Sequence, residues 1–152
     1  MREDYIINGE TVVVLSVSDS CCRVFELEDC FEVNMSLKDI VELSCKYFGS
    51  SFNGRLDGSK YHLGDNYKLP IIIDEWRDII IFPTKAYNSL GNYIISFNQI
   101  KDYEKIGNGV LIYMKNGKKV KIEDSFGIFE NQYFKAQKLF LKFLRLKNTS
   151  KI

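Results

Sequence analysis

Val110-Leu111-Ile112-Tyr113-Met114, then Lys115-Asn116-Gly117-Lys118, then Lys119-Val120-Lys121-Ile122, reads as two strands joined by an Asn-Gly turn. Ser125 to Lys147 follows, with an apolar period that suits one long helix of about 20 residues. At about 100° per residue, Phe129, Tyr133, Ala136, Leu139, Phe140, Phe143 and Leu144 share one wide face. Lys135, Lys138, Lys142 and Arg145 cluster on a stripe about 80° wide. A hairpin followed by a helix in one stretch sets the class as α+β, with an antiparallel sheet of several hairpins. Phe134 and Leu141 lie beyond the basic stripe, away from the main apolar face. Either a second copy of the chain covers them in a dimer, or the helix is buried on two sides within its own monomer.

Working back toward the N-terminus, Tyr93 to Phe97 is another apolar strand, and Pro70 to Ile73 and Ile79 to Phe82 flank Asp74-Glu75-Trp76-Arg77. Arg23 to Leu27 and Phe31 to Val33 alternate apolar and charged side chains, as half-buried strands do. Tyr5-Ile6-Ile7, Asn8-Gly9 and Thr11 to Val17 suggest a first hairpin. Between these strands, Ser36 with Asp39 resembles a capping box, and Leu37, Ile40, Val41, Ser44 and Phe48 share one helical face before Gly49. That predicts one short helix over residues 37–48. Gly49 to Gly64, with its glycines and serines, is expected as the most loop-like segment of the chain.

The composition fits one domain over residues 1–152: 45% of residues are hydrophobic and 27% charged, with no repeat or low-complexity tract. No apolar run approaches the roughly 20 residues needed to span a bilayer, and Met1-Arg2-Glu3-Asp4-Tyr5 has acids where a signal peptide needs cations. The expected location is the cytoplasm, with no membrane contact. Cys21, Cys22, Cys30 and Cys45 contain no C-x-x-C pair, and adjacent Cys21 and Cys22 would pair only in a strained ring, so reduced thiols are expected. With His62 the single histidine, no metal set is expected. Net charge is +1, but residues 1–100 carry −6 and residues 101–152 carry +7, which points to one basic face.

Catalysis finds little support. His62 lies in the flexible stretch with no nucleophile motif, and Glu26, Glu28, Asp29 and Glu32 belong to the solvated faces of strands and turns. Gly49-Ser50-Ser51-Phe52-Asn53-Gly54-Arg55 imitates a phosphate-binding loop, but Arg55 stands for the lysine, Leu56 for the magnesium-holding hydroxyl, and the loop follows a helix. An enzyme and a cofactor are therefore not expected. What remains is Ser50, Ser51, Asn53, Gly54, Arg55 and Lys60, a set of small residues, donors and cations. Such a set suits a phosphate backbone or a narrow DNA groove, or else an ordinary solvated loop.

Ser44-Cys45-Lys46-Tyr47-Phe48-Gly49-Ser50-Ser51-Phe52-Asn53-Gly54-Arg55 closely resembles the signature segment of the ComK family, the bacterial competence transcription factors. Further matches follow in order: Cys30 to Met35, Pro70 to Asp74, Ile81-Phe82-Pro83-Thr84, and Phe129-Glu130-Asn131-Gln132. The resemblance implies a transcription activator that recognises A/T-rich boxes of double-stranded DNA through the minor groove, as a homodimer or a tetramer on paired boxes. A·T tracts have a narrow minor groove of enhanced negative potential that attracts inserted cations. Arg55 is the first choice for insertion, Lys46 and Lys60 for nearby phosphates, Lys118 and Lys119 for weaker backbone contact, and Phe134 and Leu141 for the dimer interface. Leu56 and Asp57 stand where a further basic residue is expected, and the chain ends at Ile152, short of the C-terminal region that longer members use in adaptor-directed proteolysis. These departures motivate an alternative: an interaction module with weakened DNA binding that pairs with a relative or occupies a proteolytic adaptor.

Overall fold

The protein is described by a computed structural model over residues 1–64 and 67–149. Apolar residues run on without alternation in Val12-Val13-Val14, Ile71-Ile72-Ile73, Ile79-Ile80-Ile81-Phe82 and Tyr93-Ile94-Ile95, and the fold explains why. Those segments belong to a six-stranded antiparallel sheet covered on both faces, so both sets of alternating side chains are buried. Its strands are β1 (Thr11–Ser18), β2 (Cys21–Glu26), β3 (Cys30–Val33), β4 (Ile71–Asp74), β5 (Ile79–Pro83) and β6 (Tyr93–Ser96), in the order β3-β2-β1-β6-β5-β4.

One face, carrying Val14, Val24, Ile71, Ile73, Ile81 and Ile94, packs against Leu37, Ile40, Val41 and Cys45 of helix α1 (Leu37–Tyr47). The other face carries Val13, Ile72, Ile80, Phe82 and Ile95. A second antiparallel sheet covers it, made of β7 (Ile100–Ile106), β8 (Gly109–Met114) and β9 (Lys119–Ile122), together with helix α3 (Phe126–Lys147). The antiparallel sheets, the hairpins, the short helix and the long C-terminal helix agree with the α+β class expected from sequence. Ser36 Oγ accepts from Asp39 N–H at the start of α1, and Ser125 Oγ accepts from Ile128 N–H at the start of α3. No helix among the described residues is long and apolar enough to cross a membrane.

Three readings of the sequence are corrected. The segment at 49–64 is not a loop: it contains helix α2 (Phe52–Leu63), capped by Ser51 Oγ on Gly54 N–H and closed by Gly64 in the left-handed conformation at φ 68°. Two interior glycines lower its propensity by about 1 kcal/mol each, so packing of Phe52, Leu56, Ser59 and Leu63 holds it rather than local preference. At the N-terminus the Asn8 turn forms, with Thr11 N–H on Asn8 O at 3.1 Å, but Tyr5-Ile6-Ile7 is not a strand. Ile7 N–H donates to Ser44 Oγ of α1 at 2.9 Å instead, and β1 takes β2 and β6 as its partners. Finally, Ile100–Ile106 forms β7 without a strand signal of its own, because Lys101, Asp102, Glu104 and Lys105 are exposed on an edge that buries little.

Gly58 has open space where a Cβ would stand, whereas a Cβ on Gly54 would lie 3.0 Å from Ser51 Oγ. Gly58→Ala is therefore expected to raise stability by about 0.5–1 kcal/mol, and Gly54→Ala to gain less. Urea midpoints of the two variants check this, and a midpoint for Gly58→Ala below wild type would contradict it.

All four cysteines are free, and Cys22 and Cys45 are fully buried while Cys30 is exposed. Burial pushes the thiol of Cys22 up to about 12 and that of Cys45 up to about 11, the latter against the pull of the neighbouring Arg55. The folded state keeps these protons above the ordinary thiol value of about 8.5, so their contribution is whole below that pH and is lost as pH climbs toward 11. The urea midpoint is expected to fall between pH 7 and pH 10, and to fall less in a Cys22→Ala, Cys45→Ala variant. Equal falls in the two proteins would remove the thiols as the cause.

Candidate nucleic-acid interface

The junction between α1 and α2 is set by local chemistry. Gly49, at φ 83°, ends α1 with its N–H on Lys46 O, and Ser50 N–H returns to Cys45 O. Two residues on, Ser51 caps α2, whose first turn carries no acid. Lys46, Ser51, Asn53 and Gly54 are exposed around this helix start and Ser50 is half-buried, so five of the residues singled out by sequence meet at one place. The N–H groups and dipole of a helix start favour negative charge, and Lys46 adds a full positive one.

Arg55 points inward from the same turn. Its side chain is only 16% exposed, and Nη2 donates to Glu75 Oε2 at 2.7 Å, while its buried Nε has no protein partner. In this arrangement Arg55 is a brace between α2 and the tip of the β4–β5 hairpin. That tip is Asp74-Glu75-Trp76-Arg77-Asp78. The Asp74 carboxylate, 3% exposed, accepts from Trp76 N–H at 3.0 Å and from Arg77 Nη1 at 2.6 Å. Arg77 also joins Tyr47 and Phe48 in lining a cleft of about 490 Å³, which sets the tip beside the end of α1.

Lys60 is exposed toward the other end of α2, where the His62 ring lies 5.2 Å from Phe143 of α3. The histidine is thus half-buried between helices rather than free on the surface. Along this flank of α3 run Lys135, whose Nζ donates to the Tyr67 carbonyl, and Lys138, Lys142 and Arg145. Lys60 and Tyr67 line one cleft, which brings Lys60 to the Lys135 end of the basic stripe read from helical periodicity.

Lys118 and Lys119 are not brought to this surface. They sit on the β8–β9 hairpin, on the sheet face opposite α1, and Lys118 Nζ reaches Glu28 Oε2 at 3.3 Å, near the far edge from α2. Lys119 Nζ stands 5.4 Å from the Tyr113 ring centroid. Phe134 and Leu141 are 52% and 48% exposed, and Leu144, 39% exposed, extends their stripe along α3. Tyr47, Trp76 and Arg77, which sequence reading does not single out as site candidates, are 69% exposed, 86% exposed and, for the Arg77 side chain, 68% exposed. The only signal available was a tryptophan between charges in a turn. Leu56, which stands in place of an expected cation, packs against the core beneath α1, so its apolar side chain is a demand of the fold.

A family model described as ComK protein matches residues 2–147. Among curated proteins, the "Competence transcription factor" of Bacillus subtilis (strain 168) is 32% identical over 145 residues, covering 93% of this chain and 76% of the relative. No solved structure matches.

Proposed function

The chain belongs to the ComK family, and on that premise we propose that it is a sequence-specific DNA-binding regulator of transcription, acting in the cytoplasm on A/T-rich boxes through the minor groove. The observation that carries the reading is the acid-free, capped start of α2 with Lys46 and Asn53 exposed beside it. Backbone N–H groups and a lysine at one helix start suit a phosphate, and neighbouring amide and hydroxyl side chains suit the acceptor pattern of an A·T minor groove. Lys60 and the α3 stripe of Lys138, Lys142 and Arg145 extend the positive surface along a duplex. Arg55 holds the hairpin tip to this surface, and would enter a groove only by leaving Glu75. Lys118 and Lys119 supply backbone contact from a separate surface. Phe134, Leu141 and Leu144 give an apolar stripe for a homodimer or a pair of dimers. Neither a cofactor nor a catalytic step enters this reading.

Each phosphate contact contributes about −0.9 to the slope of log K against log salt. Lys138→Ala with Lys142→Ala is expected to flatten that slope by nearly 2 for A/T-rich and G·C-rich duplexes alike, as removal of about 0.9 per contact requires. Titrations at several salt concentrations check it, and an unchanged slope would take the α3 edge out of the interface.

A further inference from the structure

We propose that Trp76 is a wedge that enters the base stack of the A/T-rich duplex from its minor groove. The inference rests on the DNA-binding reading and adds to it a residue and a mode of contact. Trp76 is the sole tryptophan of the chain and is 86% exposed at the end of the β4–β5 hairpin. A scattered exposed apolar residue needs no explanation, but this one is held out by a braced support.

Asp74, almost wholly buried, fixes the turn through Trp76 N–H and Arg77, and Glu75 is anchored by Arg55. Asp78, at φ 56°, is met by Lys147 of α3. Every acid of the tip therefore has a cation, so the indole is presented without net negative charge toward phosphates. The brace also fixes where the indole stands, since Arg55 is in the first turn of α2, next to the helix start that suits a phosphate.

Minor-groove proteins combine this layout, an apolar side chain between two base pairs with cations on the flanking phosphates. T-A steps, which unstack at low cost, are the natural point of entry in an A/T-rich box. A rigid indole loses little conformational freedom on insertion and gains a stacking partner.

Because Trp76 is the single tryptophan, its fluorescence reports this contact directly. The full chain is titrated with a duplex of two A/T boxes carrying 2-aminopurine at one T-A step, and binding is followed independently by anisotropy of a terminal label. The expected result is a fall in acrylamide access to Trp76 of about fivefold or more and a rise in 2-aminopurine emission. Trp76→Ala is expected to bind about tenfold more weakly, with Trp76→Phe intermediate and the urea midpoints of both unchanged. Binding by anisotropy with Trp76 as open to acrylamide as in the free protein overturns the wedge and leaves the DNA-binding reading standing. Absence of binding to the duplex at any salt overturns both. Shielding of Trp76 that follows protein concentration without DNA also overturns the wedge, since a second copy then covers the tip.

Discussion

Replacing Phe129 by alanine is expected to lower folding stability by about 3–5 kcal/mol, the range for a large buried aromatic truncated in a packed core. Phe129 is 0% exposed and stands where α3 meets both sheets. Its ring lies 5.7 Å from Phe82 of β5, 5.0 Å from Tyr103 of β7 and 6.2 Å from Tyr133 on its own helix. Truncation loses the transfer free energy of the ring and its edge contacts, and leaves a cavity that three separate elements would have to close. Gln137→Ala, on the exposed side of the same helix, changes only surface and is expected to cost a small fraction of that amount. Urea titrations of the two variants measure the contrast. Similar losses would mean that Phe129 is not the point at which the second sheet and α3 are joined to the first.

Arg55→Ala is expected to weaken binding to an A/T box by about 1–3 kcal/mol and to reduce the preference over G·C-rich DNA. The cause is the geometry of the brace rather than charge alone. With 16% of its side chain exposed and its guanidinium on Glu75, Arg55 fixes the hairpin tip relative to the start of α2. Glu75→Gln keeps an accepting carbonyl but gives up the charge, so it loosens the same joint from the other side. Both variants are therefore expected to weaken A/T binding in the same direction. A tighter complex for Glu75→Gln beside a weaker one for Arg55→Ala would contradict bracing and place the released guanidinium in the groove. Lys119→Ala, far from this joint, is expected to weaken both DNA types equally.

Local signals were legible in the sequence and long-range ones were not. The β8–β9 hairpin followed from Asn116-Gly117, with Gly117 at φ 88°, and α1 followed from the Ser36 cap and its apolar period. Helix α2 was hidden because Gly54 and Gly58 weaken its period, and its burial depends on α1, α3 and β4. Tyr5-Ile6-Ile7 has strand composition, but a single hydrogen bond to Ser44 belongs to tertiary structure and leaves no local trace. The candidate interface divides in the same way. Lys46, Ser51 and Asn53 could be grouped because they are close in sequence, whereas the Glu75 partner of Arg55 lies 20 residues away. Charge alone marks Lys118 and Lys119 as weaker backbone contacts without saying which face they share, and sheet connectivity puts them on another one.

The proposed regulator must recognise A/T-rich DNA selectively. The most direct test is fluorescence anisotropy of a labelled duplex with two A/T boxes against a G·C-substituted duplex, at two salt concentrations, with a minor-groove-binding drug as competitor. Tight binding is expected that falls steeply with salt, favours the A/T duplex at both concentrations and is displaced by the drug. Equal affinity for the two duplexes at both salt concentrations would contradict it.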